Sequence, residues 1–269
     1  MIVTWVLEGG VFASGDAPWH AALAATGDRV ISWDDAWWSN GRWPRLAEGK
    51  VVVRASLGNA ARIAAELPWR PGAFCRTAAF HCTSWFPAAA PWLLHRRFVH
   101  TTVRRLVADP TGELQSLGAV ERVFVRPDSP LKPFAGRVVA VAGLTPKQLD
   151  HGFYYDDLDL PIVAAPVRQI AAEWRYVVVG GAVVAGSAYA ADGRRALPDD
   201  PKGDAWQFAA TIAARLPAPE RIYVLDLCAA DGALWLLELN PFSGADLYGC
   251  DPAAVIAAVD RLVVAGEAS

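Results

Sequence analysis

The alternation of apolar and polar positions divides the chain into two parts of different character. In the first third, short apolar runs alternate with helical spacings, which is typical of a small mixed α/β unit. Later in the chain, apolar runs bounded by glycine and proline predominate and predict a series of strands. A loop-like segment at 108–117 separates the two parts. We therefore expect an N-terminal α/β domain at 1–116 and a second domain at 117–269.

Capping residues and prolines mark the expected helix starts. Thr145 and Gln148 have the spacing of a capping box, and Asp251 precedes a proline, as helix N-termini often do. Helices are expected after Pro18, after Asn59, within 101–108, after Thr145, from Asp204 and from Asp251. Strands are expected at 2–7, 51–54, 120–125, 137–142, 162–165, 174–179 and 182–189.

Two apolar runs that flank an Ala-Asp-Gly turn predict a β-hairpin over 222–240. If its turn centres on Gly232, Asp226 lies directly opposite Glu238, and the two-residue period puts Asn240 on the face of Glu238. Facing carboxylates repel each other and lose hydration, so a cation is expected between them. Two carboxylates and an amide suit Mg²⁺ carrying phosphate oxygens. The alternative is a pair of strand-end carboxylates in water. Three apolar residues are expected on the same face: Val224, Leu234 and Leu236.

Size and charge limit the classes of protein to consider. The chain has 269 residues, of which 54% are hydrophobic, so it can bury one large core or two modest ones. Its net charge is -3, with acidic and basic residues interspersed, which favours neither a nucleic-acid surface nor a membrane surface. The N-terminus lacks the basic segment of a secretory signal, so a cytoplasmic location is expected.

The cysteines and tryptophans leave some questions open. Cys75, Cys82, Cys228 and Cys250 lack the close-pair spacing of a zinc site, so we expect free thiols. The chain has 12 tryptophans, several of them close together at 33–43. Large aromatic residues pack a core or line a pocket, and sequence does not separate the two. The apolar composition and the tryptophan content are also compatible with a homodimer, although no particular segment indicates one.

A second candidate site follows the strand expected at 120–125. Arg126 ends that strand, Lys132 lies in a proline-rich loop, and Gly136 leads into the next strand. Arginine offers a planar fork, lysine a point charge and the loop its N–H donors, which together suit phosphate oxygens. The spacing is neither that of a Walker loop nor that of a dinucleotide fold, and a solvated loop is the alternative.

A third candidate site is the hairpin expected around a Gly-Gly turn at 180–181. Its pairing puts Arg175 opposite Gly186, a small residue that leaves room for Arg175 to reach a phosphate or a substrate carboxylate. Glu173 shares the face of Arg175, so a structural ion pair between them is the alternative. The apolar strand end just before this hairpin, at 164–167, suits backbone hydrogen bonding to an adenine edge.

Taken in chain order, these segments resemble the ATP-grasp superfamily. More narrowly, they resemble the clade in which an arginine replaces the first phosphate-binding lysine and a second lysine follows in the loop, written here VRPDSPLKPFAG. Further matches are EWRYVV, YVLDL and LELNPFSGADLYGCD. The resemblance extends from about residue 120 to the C-terminus and more loosely into the first third, where His95 stands in place of an expected asparagine.

The resemblance implies a fold of antiparallel sheets with flanking helices, preceded by a small α/β domain. It implies ATP and Mg²⁺ as cofactors, with roles carried over residue by residue. Arg126 and Lys132 would bind ATP phosphates, with the loop through Gly136 closing over them. Ala164, Ala165, Pro166 and Val167 would meet the adenine, Glu173 the nucleotide, and Arg175 a phosphate or the reacting acyl group. Asp226, Glu238 and Asn240 would hold magnesium.

The activity that the resemblance implies is ligation of a carboxylate to an amine or thiol through an acyl-phosphate. The substrates would be small-molecule or peptide carboxylates and amines. Two alternatives stay open: phosphotransfer to a hydroxyl on the same fold, and a non-catalytic nucleotide-binding or scaffold module.

Overall fold

A computed structural model describes residues 2–46, 50–118, 120–191, 194–195 and 203–266. The chain forms two compact units, the larger drawn from 1–76 and 170–269 and the smaller from 77–169. The domain boundary expected after residue 116 falls inside the smaller unit. Division into compact units does not test that boundary, which stays a prediction. No helix in these ranges is long and apolar enough to cross a membrane.

The described elements alternate between strands and helices along the chain. The strands are β1 (Thr4–Leu7), β2 (Arg29–Ser32), β3 (Val51–Arg54), β4 (Pro71–Gly72), β5 (Val99–Thr102), β6 (Arg122–Pro127), β7 (Arg137–Ala140), β8 (Pro161–Pro166), β9 (Ala172–Val179), β10 (Ala182–Ala191), β11 (Arg194–Arg195), β12 (Ile222–Ala230) and β13 (Ala233–Pro241). The helices are α1 (Ala17–Thr26), α2 (Ala36–Asn40), α3 (Leu57–Glu66), α4 (Cys82–Ala89), α5 (Val103–Ala108), α6 (Pro110–Glu113), α7 (Asp204–Arg215) and α8 (Pro252–Val264).

The larger unit contains a parallel sheet with strand order β2-β1-β3-β4. Strands β1 and β3 are buried along their whole length, as apolar strands covered on both faces must be. Alternate residues of β1 enter different cores: Trp5 packs with Leu23 of α1, whereas Val6 packs with Ile63 of α3. The two-residue period of the strand thus distributes its side chains between the two helical layers.

The larger unit also contains an antiparallel sheet with strand order β11-β10-β9-β12-β13. One of its faces shares a core with α8, in which Val177 and Val224 pack with Ile256. On the other face, Tyr176 contacts Trp206 of α7, with ring centres 5.8 Å apart. The same core includes β1 and α1, so the two sheets of this unit share one apolar cluster.

The smaller unit is built on an antiparallel sheet with strand order β5-β8-β6-β7. Its core joins Val123, Val125 and Ile162 of the sheet to Leu106 of α5 and to Phe134 of the β6–β7 loop. The expected α/β architecture, with antiparallel sheets, flanking helices and a small α/β portion at the N-terminus, is confirmed.

Local signals located some elements well and missed others. The strand expected at 51–54 has those bounds, and the Thr145–Gln148 capping box forms, although it opens a short 3₁₀ turn. Helix α4 was not expected, because its sequence contains Pro87 and its first turn is capped from a distant loop. There Asp128 Oδ1 accepts a hydrogen bond from the Thr83 backbone N–H at 2.9 Å. Local patterns do not reveal a cap of that kind.

The cysteine prediction and the tryptophan question are both resolved by packing. All four cysteines are buried, and none of them forms a disulfide. The centre of the Trp33 ring lies 5.0 Å from that of Trp37, 5.2 Å from that of Trp38 and 6.3 Å from that of Trp69. These rings belong to, or pack against, the core that covers β3 and α3. This tryptophan cluster therefore stabilises the parallel sheet.

Candidate functional site

The hairpin of β12 and β13 forms with Asp226 directly opposite Glu238, as expected. The route to this pairing differs from the prediction. The strands close between Ala230 and Ala233, half a residue before the expected centre, and a bulge next to Asp226 adds one residue to β13. The two offsets cancel at the carboxylates.

The same bulge corrects the expected neighbours of the carboxylates. Leu236 pairs with Leu227, and paired residues point to the same face of a sheet. Leu234 and Leu236 therefore lie on the face opposite Glu238, contrary to expectation. Trp235 pairs with Cys228 and comes to the face of the carboxylates instead.

The strand order places an arginine beside the carboxylates. Because β9 lies next to β12, Arg175 pairs with Asp226, and Arg175, Asp226 and Glu238 form a row across the sheet. Arg175 Nε and Nη2 donate to the two oxygens of Asp226 at 2.8 and 2.7 Å, a planar two-point contact. Arg175 is 7% exposed and Asp226 only 1%. This ion pair is therefore buried.

Asn240 connects the two carboxylates of the hairpin. Its Nδ2 donates to Asp226 Oδ2 at 3.0 Å and to Glu238 Oε2 at 3.1 Å. Two facing carboxylates thus share the hydrogens of one amide, where the sequence predicted a cation between them. The structure brings Asp226, Glu238 and Asn240 together, with Arg175 as a fourth member. We call these four residues the carboxylate row.

Aromatic side chains surround the arginine of the carboxylate row. The rings of Tyr189 and Tyr248 stack with centres 4.8 Å apart, and Arg175 Cζ lies 4.8 Å from the Tyr248 centre and 5.6 Å from the Tyr189 centre. Tyr189 donates its hydroxyl to Glu173 at 2.8 Å. Burial, and after it the negative charges of Asp226 and Glu238, raise the pKa of Glu173 despite this hydrogen bond.

The hairpin of β9 and β10 differs from its expected pairing. A register shift at 183–185 puts Arg175 opposite Ser187, not opposite Gly186. The residue opposite Arg175 is still small, but Arg175 is already engaged: besides the bonds to Asp226, its Nη1 donates to the Asp246 carbonyl at 2.5 Å. The structural ion pair of Arg175 is therefore formed with Asp226, whereas Glu173 bonds to Tyr189.

The carboxylate row has donor atoms that fit a magnesium ion. Mg²⁺ prefers carboxylate and carbonyl oxygens, which Asp226, Glu238 and Asn240 carry. A carboxylate has about four lone-pair positions, and the two bonds from Arg175 with the one from Asn240 leave one of them for a further partner on Asp226. Among the described residues no three His, Cys, Asp or Glu side chains form a metal cluster, so the predicted set depends on the amide of Asn240.

The cationic loop lies in the smaller unit, between β6 and β7. Arg126 is on β6 opposite Val163, and Lys132 is exposed on the loop with a left-handed backbone, φ 47°. At Gly136 an added Cβ would lie 2.8 Å from Phe124 Cζ and 3.6 Å from Arg126 Cβ. Gly136 therefore lets the end of the loop approach β6 beside Arg126.

The expected adenine-binding strand end is β8, a central strand of the smaller unit's sheet. Ala164 pairs with both Val99 and Val125, and Ala164 and Ala165 are fully buried. The ladder to β5 ends at Ala164, while the ladder to β6 continues to Pro166. Val167, which follows the strand, is 37% exposed.

His95 lies near the cationic loop within the smaller unit. Its ring stacks on Phe124 with centres 5.1 Å apart and an angle of 13° between the planes. Burial, and then the charges of Arg126 and Arg168, lower the pKa of His95 to about 4. A neutral imidazole thus occupies the position where the resemblance predicts an asparagine.

Sequence reasoning missed Arg54, a buried charged residue at the end of β3. It is 2% exposed and lies against aromatic rings of the larger unit. A single charge that ends an apolar run, VVVR, is the signal that could have found it. In open parallel sheets ligands bind at the carboxyl ends of the strands.

Comparisons with known proteins agree with this architecture. The family model for the ATP-grasp domain, R-2-K clade family 2, matches residues 93–258. No curated protein matches the chain in sequence. Among solved structures, D-cycloserine synthetase DcsG matches with a TM-score of 0.65 and 16% identity, over 97% of this chain and 99% of that chain. D-alanine–D-alanine ligase from Bacillus anthracis, complexed with ATP, matches with a TM-score of 0.61 and 11% identity, over 99% of this chain and 98% of that chain. ATP-grasp ligase PsnB, complexed with a minimal precursor, matches with a TM-score of 0.55 and 15% identity, over 99% of this chain and 100% of that chain.

Proposed function

Because the chain belongs to the ATP-grasp superfamily, as a member of its R-2-K clade family 2, we propose that it is an ATP- and magnesium-dependent ligase. It joins a carboxylate to an amine or a thiol through an acyl-phosphate. The observation that carries the proposal is the carboxylate row, in which one amide lies within hydrogen-bond distance of two carboxylates beside a buried arginine. Cytoplasmic location and dimerisation stay predictions.

In this proposal Arg126 and Lys132 bind the phosphates of ATP. The exposed position of Lys132 on the loop between β6 and β7 supports this role. Gly136 lets the loop end pack beside Arg126. The backbone at 164–167 meets the adenine, supported by the end of the β5 ladder at Ala164.

Asp226, Glu238 and Asn240 hold magnesium in this proposal. When bound, the ion would neutralise charge on the phosphate oxygens during transfer. Arg175 fixes the Asp226 carboxylate through two parallel hydrogen bonds, and Tyr189 orients Glu173. An arginine has five N–H donors, of which three are used here, so Arg175 retains donors for a phosphate or the reacting acyl group.

The reaction that we propose has two steps. An oxygen of the substrate carboxylate attacks the γ-phosphorus of ATP, and the bond to the bridging oxygen breaks to give an acyl-phosphate and ADP. The amine or thiol then attacks the acyl carbon, phosphate leaves with the electron pair, and the nucleophile loses its proton. Such chemistry asks mainly for positioning and charge stabilisation, for which the larger unit offers the carboxylate row and the smaller unit the cationic loop.

Calorimetric titration with a non-hydrolysable ATP analogue, with and without Mg²⁺, tests the nucleotide site. Lys132→Ala should weaken binding, because it removes a phosphate contact, whereas Lys147→Ala, on a 3₁₀ turn of the same unit, should not. Glu238→Gln keeps the shape of the side chain and should reduce the magnesium dependence of binding. No binding to the wild-type protein, with or without Mg²⁺, would refute the enzymatic proposal and leave a scaffold role.

Product analysis separates ligation from phosphotransfer. After binding is established, a panel of carboxylates and amines is incubated with ATP and Mg²⁺. Ligation releases ADP and free phosphate in equal amounts and consumes the amine. ADP release with the phosphate retained on the substrate would show a phosphotransferase instead.

A further inference from the structure

Arg54 is a buried cation in the larger unit that the nucleotide and metal assignments do not use. Its Cζ lies 4.0 Å from the ring centre of Trp19 and 4.5 Å from that of Phe12, so two aromatic rings contact the guanidinium. Nη2 donates to the Ala245 carbonyl at 3.3 Å. Nη1 is buried and has no hydrogen-bond partner in the described part of the chain. One edge of the guanidinium is thus incompletely bonded.

No carboxylate in the described part of the chain satisfies this edge. Arg54 forms no ion pair within the ranges that the structure describes, and Asp246 and Asp16 act on it only from a distance. The Asp246 carboxylate accepts from the backbone N–H groups of Ser14 at 3.1 Å and Tyr248 at 2.9 Å. Burial lowers the pKa of Arg54 to about 9, against the charge of Asp246, so the group is still protonated at neutral pH. A buried charged donor without an acceptor is costly, and such positions indicate a ligand.

A small cavity lies beside Trp19, one of the two rings that contact Arg54. Its volume is about 210 Å³, and Ser14, Trp19, Tyr248 and Cys250 are among its lining residues. Trp19 both lines the cavity and contacts Arg54. The cavity is smaller than the roughly 300–1,000 Å³ of pockets for drug-sized ligands, and it suits a molecule of amino-acid size.

We propose that Arg54 anchors a carboxylate of an amino-acid-sized substrate of the ligase. This inference rests on the proposed function, since a ligase needs a second, specific site for its carboxylate or amine substrate. A guanidinium edge binds a carboxylate through two parallel hydrogen bonds. The anchored carboxylate is not the one that is activated, because an ion pair would lower its nucleophilicity. Phe12, half-buried on the loop between β1 and α1, covers the guanidinium, so its ring moves when the substrate binds.

Nuclear magnetic resonance of the tryptophan indole N–H groups tests this site directly. The Trp19 signal is identified with Trp19→Phe, and the protein is titrated with sodium acetate and with glycine, in the absence and presence of magnesium and a non-hydrolysable ATP analogue. Sodium chloride, methylammonium chloride and sodium phosphate are the matched probes. The internal control is Trp38, whose ring lies 3.9 Å from Arg62 Cζ, an arginine whose side chain is 46% exposed.

Acetate and glycine should shift the Trp19 signal saturably, and sodium chloride and methylammonium should not. The Trp38 signal should follow only ionic strength. Arg54→Lys should raise the apparent Kd about tenfold or more, because it loses the planar fork, whereas Arg62→Lys should leave it unchanged. The selective response of Trp19 over Trp38 in the wild-type protein is informative even if Arg54→Lys does not fold.

Three results would overturn the inference: no saturable Trp19 shift under either condition, equal shifts of Trp19 and Trp38, or a response to phosphate alone. Failure of the proposed function is seen separately, as absence of nucleotide binding by calorimetry. A protein that binds ATP but shows no Trp19 response retains the ligase proposal and loses the role of Arg54. A Trp19 response to carboxylates in a protein that binds no nucleotide would support a carboxylate site at Arg54 and refute the ligase proposal.

Discussion

Replacing Asp226 by asparagine should destabilise the protein strongly. The substitution keeps the size of the side chain but removes the charge that compensates Arg175. Arg175 and Asp226 are 7% and 1% exposed, so the unpaired guanidinium would stay buried. Removing one partner of a buried ion pair costs about 3–5 kcal/mol. For a chain of this size that corresponds to a fall in Tm of roughly 6–20 °C.

The matched control is an exposed ion pair in the same unit. Arg62 and Glu66 lie one turn apart on α3, with 46% and 50% of their side chains exposed. Glu66→Gln, which likewise removes the acidic partner, should cost only about 0.3–0.5 kcal/mol, because water replaces most of the lost interaction. The contrast between the two substitutions isolates the effect of burial.

Thermal unfolding followed by circular dichroism, at one scan rate for all variants, gives the comparison. The double variant Arg175→Met with Asp226→Leu should regain most of the lost Tm, since it leaves no buried charge unpaired. A Tm for Asp226→Asn as close to wild type as that of Glu66→Gln would refute the buried pair. So would a double variant whose loss equals the sum of the single losses.

Three further predictions concern pH, packing and protonation. Burial raises the pKa of Glu220 from 4.5 to about 7, so the folded protein holds this proton more tightly than the unfolded chain does. As pH rises from about 4.5 to 7, the wild-type protein should therefore lose up to about 3 kcal/mol of stability relative to Glu220→Gln. A Tm difference between the two proteins that is constant with pH would contradict this. Gly136→Ala should lower the free energy of unfolding by about 1–3 kcal/mol and weaken nucleotide binding, because the new Cβ meets the ring of Phe124. The control is Gly58→Ala, whose new Cβ meets no atom within 4 Å and should be tolerated. Thermal unfolding measures the first effect and calorimetry the second. The imidazole signals of His95 should stay constant from neutral pH down to about 5 in an NMR titration and move only towards its pKa of about 4; a midpoint near 6.5 would refute its burial.

The sequence by itself determined the elements whose signals are local. Strand β3 follows from a run of apolar residues, and the hairpin of β12 and β13 follows from two apolar runs that flank a turn. These signals depend on the two-residue period of a strand and on turn chemistry, which are properties of short segments. Chain order and motif spacing then sufficed to identify the family from its residues.

Tertiary structure decided which groups meet the predicted residues. The bulge that exchanges Leu236 for Trp235 beside the carboxylates depends on the packing of both faces of the sheet. The contact between Arg175 and Asp226 requires β9 to lie beside β12, although 51 positions separate the two residues in sequence. The rings that cover Arg54 belong to Phe12 and Trp19, which only tertiary packing brings to the end of β3. Local periodicity gives the face on which a side chain lies, whereas its partners are set by strand order and packing, which bring together residues that are distant in the chain.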